Sequence, residues 1–236
     1  MPLFRTLWNW RLDSASLVRR SLLLPRGLDL VPVMDRRSYL SLIRQVMSES
    51  QMRLNGCEAY HILTTVRAVV EKVPGDLAEV GVYRGGSSKL ICEAKGDRHL
   101  HLFDTFSGLP ELGPRDTTTV FWKGQFGSSL EAVRKYLSRY PNVHLYEGLF
   151  PDTASPIKRN QFCFVHLDVD LYEPTRAGLE FFYPKLSSGG ILMSHDYDAP
   201  GVREAVNEFF KDKPETVLQQ PAGSQCFVVR AGPACT

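Results

Sequence analysis

Two short segments hold most of the residues equipped for chemistry, His166-Leu-Asp168-Val-Asp170 and His195-Asp196-Tyr-Asp198. Each closes an apolar run of strand type. In a strand the side-chain period of two puts His166, Asp168 and Asp170 on one side. If the two runs are neighbouring parallel strands, Asp168 and Asp196 meet at one sheet edge. Buried carboxylates that close repel unless a proton or a cation intervenes. Oxygen donors of this kind suit Mg²⁺ or another divalent ion. The competing reading makes Asp168 and Asp170 loop caps or partners of Arg176 and Arg203, and it weighs most on Asp170 and Asp198. His166, in mid-strand, reads as a core histidine.

A third stretch, Glu79-Val-Gly81-Val-Tyr83-Arg-Gly85-Gly86-Ser87, runs from a strand into a helix. Such a turn lies at the carboxyl edge of the sheet, where doubly wound folds bind ligands. Turn dihedrals alone would also call for glycine there. A dinucleotide fingerprint needs glycine where this chain has Tyr83, because the pyrophosphate must approach the backbone. A nicotinamide oxidoreductase is therefore disfavoured, and a nucleoside cofactor without phosphates suits the turn. Gly86-Ser-Ser-Lys89 has the elements of a phosphate loop in the wrong order. Asp104 closes the next strand some 18 residues past Gly86. An acid there accepts both ribose hydroxyls; its plainer role would be to start the following loop. Turn and acid together predict adenosine binding.

Bringing these groups to one edge requires a particular order of elements. Short apolar strands are expected at 77–82, 99–104, 143–147, 162–168, 191–195, 216–219 and 225–230. Helical stripes lie between and before them: Tyr39, Leu42, Ile43, Val46 and Met47; then Ala59 to Val73 after an Asn55-x-x-Glu58 capping box. Ser128 with Glu131 predicts a second capping box. Pro174 suits the first turn of a helix, and Val202, Ala205, Val206, Phe209 and Phe210 keep one apolar face. Strand-helix repetition with apolar strands means an α/β, doubly wound, mostly parallel sheet. A Pro-Ala-Gly-Ser turn makes the last two strands an antiparallel hairpin. Residues 105–127 have no period and carry Phe106, Phe121, Trp122 and Phe126. Loops of that length are commonly functional, and the aromatics favour a lid.

Of 236 residues 43% are hydrophobic and 23% charged, which excludes a disordered or fibrous chain. A net charge of +2 gives no electrostatic case for nucleic acid. No apolar run approaches the ~20 residues that span a bilayer. Five dispersed cysteines without a CxxC pair argue for a reducing compartment, so a cytoplasmic protein is expected. Residues 1–25 carry four arginines, Phe4, Trp8 and Trp10. They read as an arm packing on its own domain or on a second copy of the chain, ahead of a membrane-surface helix or a presequence.

The motifs at 79–87, Asp104-Thr-Phe-Ser-Gly-Leu-Pro110, Asp168-Val-Asp-Leu-Tyr-Glu-Pro-Thr175 and Gly189-Gly-Ile-Leu-Met-Ser-His-Asp-Tyr197 resemble, in order, the macrocin O-methyltransferase (TylF/MycF) family. The resemblance covers roughly residues 50–230. It implies a class I, Rossmann-like S-adenosylmethionine-dependent methyltransferase with seven strands, the last antiparallel. Residues 1–50 would be an arm and helical extension, and 51–236 the methyltransferase domain. It implies methylation of a hydroxyl on a sugar or natural-product acceptor, typically with Mg²⁺. Carried over, Glu79, Gly81, Tyr83, Gly85, Gly86 and Ser87 would hold the methionine part of the cofactor. Asp104 with Thr105 would hold the ribose, and Phe150 would lie near the adenine. Asp168 and Asp196 match metal-ligand positions.

The family usually has two adjacent acids before the tyrosine, where this chain has His195-Asp196. Histidine is a poor ligand for Mg²⁺. The third ligand is then His195 on a softer metal, Asp170 or a water. Alternatively the metal is absent, with His195 as general base beside Asp168, or the chain is a non-catalytic scaffold that kept the cofactor pocket.

Overall fold

The computed structural model describes residues 33–117 and 120–232, and the basic arm at 1–25 lies outside them. The chain forms two units, 1–38 and 39–236, and the account below concerns the second. Helix α1 (Val33–Ser50) is followed by α2 (Gly56–Val70), whose start is the predicted capping box. Asn55 Oδ1 accepts the Glu58 N–H at 3.1 Å, and Glu58 Oε2 accepts the Asn55 N–H at 2.8 Å. Then come β1 (Asp76–Val80), α3 (Gly86–Ala94), β2 (Leu100–Asp104), α4 (Leu130–Leu137), β3 (Val143–Glu147), β4 (Phe162–Leu167), α5 (Tyr172–Phe182), β5 (Leu186–Ser194), α6 (Pro200–Phe210), β6 (Leu218–Gln219) and β7 (Cys226–Val229).

The seven strands form one sheet in the order β3-β2-β1-β4-β5-β7-β6. β1 to β5 run parallel, and β7 is antiparallel to both β5 and β6. The expected doubly wound sheet with its closing hairpin is present, although β6 is only two residues long. Alternate strand residues enter opposite cores. Ala78, Val80, Phe103 and Val165 pack with α5 and α6, while Leu77, Leu102 and Phe164 pack with α2, α3 and α4. That alternation requires helices on both faces.

One predicted cap moves by a residue. Ser129 Oγ, not Ser128, caps α4 by accepting the Ala132 N–H at 3.2 Å. Ser128 Oγ instead donates to the Tyr83 carbonyl at 2.6 Å, which ties the end of the long loop to the glycine turn. Cys57, Cys92, Cys163 and Cys226 are free thiols. Among the described residues no helix is long and apolar enough to cross a membrane.

Strand order reverses between β1 and β4, and there the strand ends converge. Gly81 donates its N–H to the Phe103 carbonyl (2.9 Å), Asp168 to Val80 (2.8 Å) and His195 to Leu167 (2.8 Å). The ladder thus runs one residue past β1, β4 and β5 and delivers the ends of neighbouring strands to one point.

Candidate active site

A cavity of about 360 Å³ opens at that convergence. Its volume lies in the range of small-molecule sites. One wall is the glycine turn. Gly81 has φ +90°, and a Cβ there would stand 1.8 Å from the Asp168 carbonyl oxygen. Glycine is demanded at this point by the close approach of β1 to β4. Gly85 follows in the left-handed conformation as N-cap of α3. Tyr83 is also left-handed, φ 50°, and its ring meets Phe126 edge-on at 5.9 Å. Asp104 organises the turn from β2: its Oδ2 accepts the N–H groups of Val82 (2.7 Å) and Tyr83 (2.8 Å), and its Oδ1 that of Phe106 (2.6 Å). Burial pushes its carboxyl upward, and these donors pull it back only in part.

The acidic cluster stands beside the turn, at the ends of β4 and β5. His195 Nδ1 lies 2.8 Å from Asp196 Oδ2 and 3.1 Å from Asp168 Oδ1. Its Nε2 lies 3.0 Å from Ser224 Oγ and 3.4 Å from Glu58 Oε1. Asp170 and Asp196 both hold positive φ, 62° and 54°. Non-glycine residues adopt that conformation at a cost, most often at functional sites. Burial opposes charge on His195, but the Asp168 carboxylate and hydrogen bonds to Asp168, Asp196 and Glu58 outweigh it. Its proton is held well above the ordinary imidazole range. Asp168 is lowered, because the adjacent imidazolium overcomes the penalty of burial. Asp170 is pushed well up by burial and by the neighbouring Asp196 and Asp168 charges. Asp196 is raised, chiefly by burial.

Donor atoms of Asp168, His195 and Asp196 all lie within 4.8 Å of one another. Two carboxylates and an imidazole nitrogen fit a divalent ion, and the nitrogen favours the first-row transition series over Mg²⁺. Nε2, turned to Ser224 and Glu58, supplies the outer contact that metal-binding histidines ordinarily make.

The family model of macrocin O-methyltransferase (TylF) matches residues 50–221. The chain belongs to this family. It is 35% identical over 156 residues to the 8-demethyl-8-(2,3-dimethoxy-alpha-L-rhamnosyl)-tetracenomycin-C 4'-O-methyltransferase of Streptomyces olivaceus, covering 60% of each chain. With the mycinamicin III 3''-O-methyltransferase of Micromonospora griseorubida it shares 32% over 159 residues, 60% of this chain and 63% of that one. The demethyldecarbamoylnovobiocin O-methyltransferase of Streptomyces niveus is 32% identical over 168 residues, 62% of this chain and 64% of its own length. The chain therefore spans somewhat under two thirds of these relatives' length. Among solved structures, the O-methyltransferase NovP superposes with a TM-score of 0.62 at 27% identity, covering 74% of this chain and 80% of that one. The calicheamicin methyltransferase CalS11 gives 0.64 at 19% identity, covering 83% and 92%. The fold is that of the class I methyltransferases.

Most of the family positions expected from the sequence meet at this cavity. Gly81, Tyr83, Gly86, Ser87, Asp104, Thr105, Phe150, Asp168, His195 and Asp196 line it. Glu79 and Gly85 do not. Glu79 is fully buried, with its carboxylate accepting from Ser88 Oγ and lying 2.9 Å from His166 Nδ1. Position along the strands explains the difference: Glu79 and His166 are register partners inside β1 and β4, below the strand ends, and pair under α3. His166 is thus the core histidine expected, although only its Nδ1 has a partner and its Nε2 is buried without one. Arg176 pairs with Glu180 and Arg203 bonds main-chain carbonyls, so neither serves Asp168 or Asp170.

Two acids were missed as site residues. Glu58 reads from its spacing only as a capping residue, yet it reaches the far side of His195. Asp116, inside the long loop, is 8% exposed and anchors that loop. Its Oδ1 accepts the Tyr172 N–H (2.8 Å) at the start of α5, and its Oδ2 that of Gly113 (3.0 Å). Asp116 lies in an aperiodic stretch, where nothing in the pattern signals burial.

Proposed function

We propose that this protein transfers the S-methyl group of S-adenosylmethionine to a hydroxyl of a sugar-bearing small molecule, assisted by a divalent ion. One observation carries the reading: a nucleoside-sized cavity with the glycine turn on one wall and Asp168, Asp170, His195 and Asp196 beside it, at the ends of β4 and β5. The relatives in Streptomyces and Micromonospora are by name O-methyltransferases, one of them acting on a rhamnosyl tetracenomycin.

The cavity's chemistry suits the donor. Gly86 and Ser87 present the first N–H groups of α3, and a helix N-terminus is a seat for the methionine carboxylate. Asp104 keeps acceptor capacity beyond its three backbone donors, enough for ribose hydroxyls. Leu149 and Phe150, past β3, offer apolar surface to the adenine. In the transfer, a lone pair of the acceptor oxygen forms the new C–O bond while the C–S bond breaks and its electrons stay on sulfur. The hydroxyl proton must leave as this happens. Alignment supplies much of the rate. A divalent ion held by Asp168, Asp196 and His195 would make the hydroxyl more acidic. Asp170, pushed well up by burial and by the neighbouring Asp196 and Asp168 charges, stands at the same edge as a candidate proton acceptor. His195 is a poor base while its carboxylate neighbours hold its proton.

The test begins with melting temperatures of the full chain in S-adenosylhomocysteine, NAD⁺ and ATP, each with and without Mg²⁺ or Mn²⁺. Stabilisation by S-adenosylhomocysteine alone among the three is expected, increased by the ion. Methyl transfer from labelled donor to glycosides, compared with their aglycones, should favour the glycosides. Asp168→Ala should lower turnover on the order of 10²–10⁴-fold while leaving S-adenosylhomocysteine affinity close to wild type. No response to S-adenosylhomocysteine under any condition refutes the reading.

A further inference from the structure

Behind His195, outside the cavity lining, lies a chain of hydrogen bonds with a fixed direction. Glu58 is 3% exposed. Its Oε2 accepts the Asn55 N–H at 2.8 Å, and its Oε1 accepts the Ser224 N–H at 2.7 Å and the Ser224 hydroxyl at 3.1 Å. A carboxylate only accepts, so the hydroxyl proton of Ser224 points to Glu58. That leaves a lone pair of Ser224 Oγ facing His195 Nε2, 3.0 Å away. The only group Nε2 can offer a lone pair is its own N–H. Glu58 Oε1 itself lies 3.4 Å from Nε2 and favours the same proton position. In the neutral ring the free lone pair must then be on Nδ1, beside Asp168 and Asp196.

We infer that Glu58, acting through Ser224, is a positioning residue that fixes the proton of His195 on Nε2 and turns Nδ1 toward the two aspartates, making the trio a mixed nitrogen-oxygen site for a first-row transition ion such as Mn²⁺ in preference to Mg²⁺. This rests on the divalent-ion reading above. α2 and the turn before β7 meet at this acid, so two elements far apart in sequence set one imidazole. Histidine ligands are commonly oriented by such a carboxylate, and losing it weakens metal binding about 10–100-fold.

The probe is Mn²⁺ added to metal-stripped full-length protein in the presence of S-adenosylhomocysteine. Bound ion is read from loss of the free Mn²⁺ paramagnetic resonance signal, and a nitrogen ligand from ¹⁴N coupling in pulsed spectra. Wild type should bind Mn²⁺ more tightly than Mg²⁺ and display the coupling. Glu58→Gln retains a residue that a capping box accepts. It should weaken Mn²⁺ binding about tenfold or more and leave S-adenosylhomocysteine affinity unchanged. Ser224→Ala, which leaves the Asn55–Glu58 capping pair in place, should weaken binding in the same direction. His195→Asp should abolish the ¹⁴N coupling and reverse the preference toward Mg²⁺. Wild-type Mn²⁺ affinity in both Glu58→Gln and Ser224→Ala overturns the role of Glu58 while sparing the ion reading. Failure of the wild-type protein to bind any divalent ion overturns both.

Discussion

Replacing Gly81 by alanine separates two explanations for the glycine turn. If the glycine serves only the cofactor's approach, the ligand-free protein should not notice the change. The structure makes the opposite demand. A Cβ on residue 81 would stand 1.8 Å from the Asp168 carbonyl oxygen and 2.7 Å from its carbon, whereas ordinary contact begins at 3.4 Å. The strands must therefore part by about 1.6 Å. They are pinned on both sides by the Gly81-to-Phe103 and Asp168-to-Val80 hydrogen bonds, so parting loosens the ladder. A left-handed backbone costs alanine about 1–2 kcal/mol, and overpacking typically about 1–3 kcal/mol. A total of about 2–5 kcal/mol is a large share of the 5–15 kcal/mol that holds a domain together. At roughly 2–4 °C per kcal/mol for a chain of this size, the ligand-free melting temperature should fall by roughly 4–20 °C. Displacing Asp168 by more than 1 Å should cost turnover on the order of 10²-fold. Gly85→Ala is the control: also left-handed at φ +77°, but with nothing nearer its Cβ than 3.4 Å, it should lose only the backbone part. Scanning calorimetry of the ligand-free proteins decides. A Gly81→Ala variant melting within about 2 °C of wild type would refute the packing argument.

The long loop and the far edge of the sheet yield two more predictions. Asp116→Ala leaves the Tyr172 N–H without its partner, at about 1–3 kcal/mol, and frees the loop from α5; limited proteolysis within residues 105–127 should quicken, and unchanged cleavage would show that the loop is held elsewhere. At the opposite end of the strands, His101 is 5% exposed, 3.3 Å from Asp76 and 3.1 Å from the Tyr146 hydroxyl, and stacked on His144. Burial lowers its pKa despite Asp76, and burial and His99 lower that of His144. A depressed folded imidazole contributes stability above its unfolded value, ordinarily 6.5, and loses it as pH falls through that value toward the folded one. The melting temperature should therefore drop between about pH 7 and 5, less steeply in His101→Asn than in wild type; parallel curves would count against this origin.

What the sequence disclosed follows from which interactions are local. Asn55-x-x-Glu58 lies within one turn, so its geometry is contained in its spacing. Apolar strands buried on both faces, as in Phe162–Leu167, announce a parallel sheet. The meeting of Asp168 with Asp196 was legible because the ends of parallel neighbours must share an edge. Glu79 stays off the cavity lining because it stands two residues below the end of β1, inside the sheet, where its carboxylate is buried against Ser88 and His166. Glu58 and Asp116 escaped for a different reason. Their partners, Ser224 and Tyr172, are 166 and 56 residues away. No periodicity encodes such contacts.

The charges around His195 explain why one imidazole stands among acids. Asp168, Asp170 and Asp196 crowd the end of β4 and β5, and burial alone would drive all three toward their neutral forms. The imidazolium relieves this selectively. It holds Asp168 ionised, while Asp170 and Asp196 remain raised. Glu58, drawn down to about 2 against its own burial by His195 and the Asn55 and Ser224 N–H groups, balances the ring from behind. A divalent ion entering between Asp168 and Asp196 would provide the same relief and displace the Nδ1 proton, since metal and proton compete for one lone pair. An aspartate at 195 would add negative charge that only a cation can offset. Histidine lets the same backbone hold together with a proton in place of a cation, and the acid on α2 keeps the ring aimed.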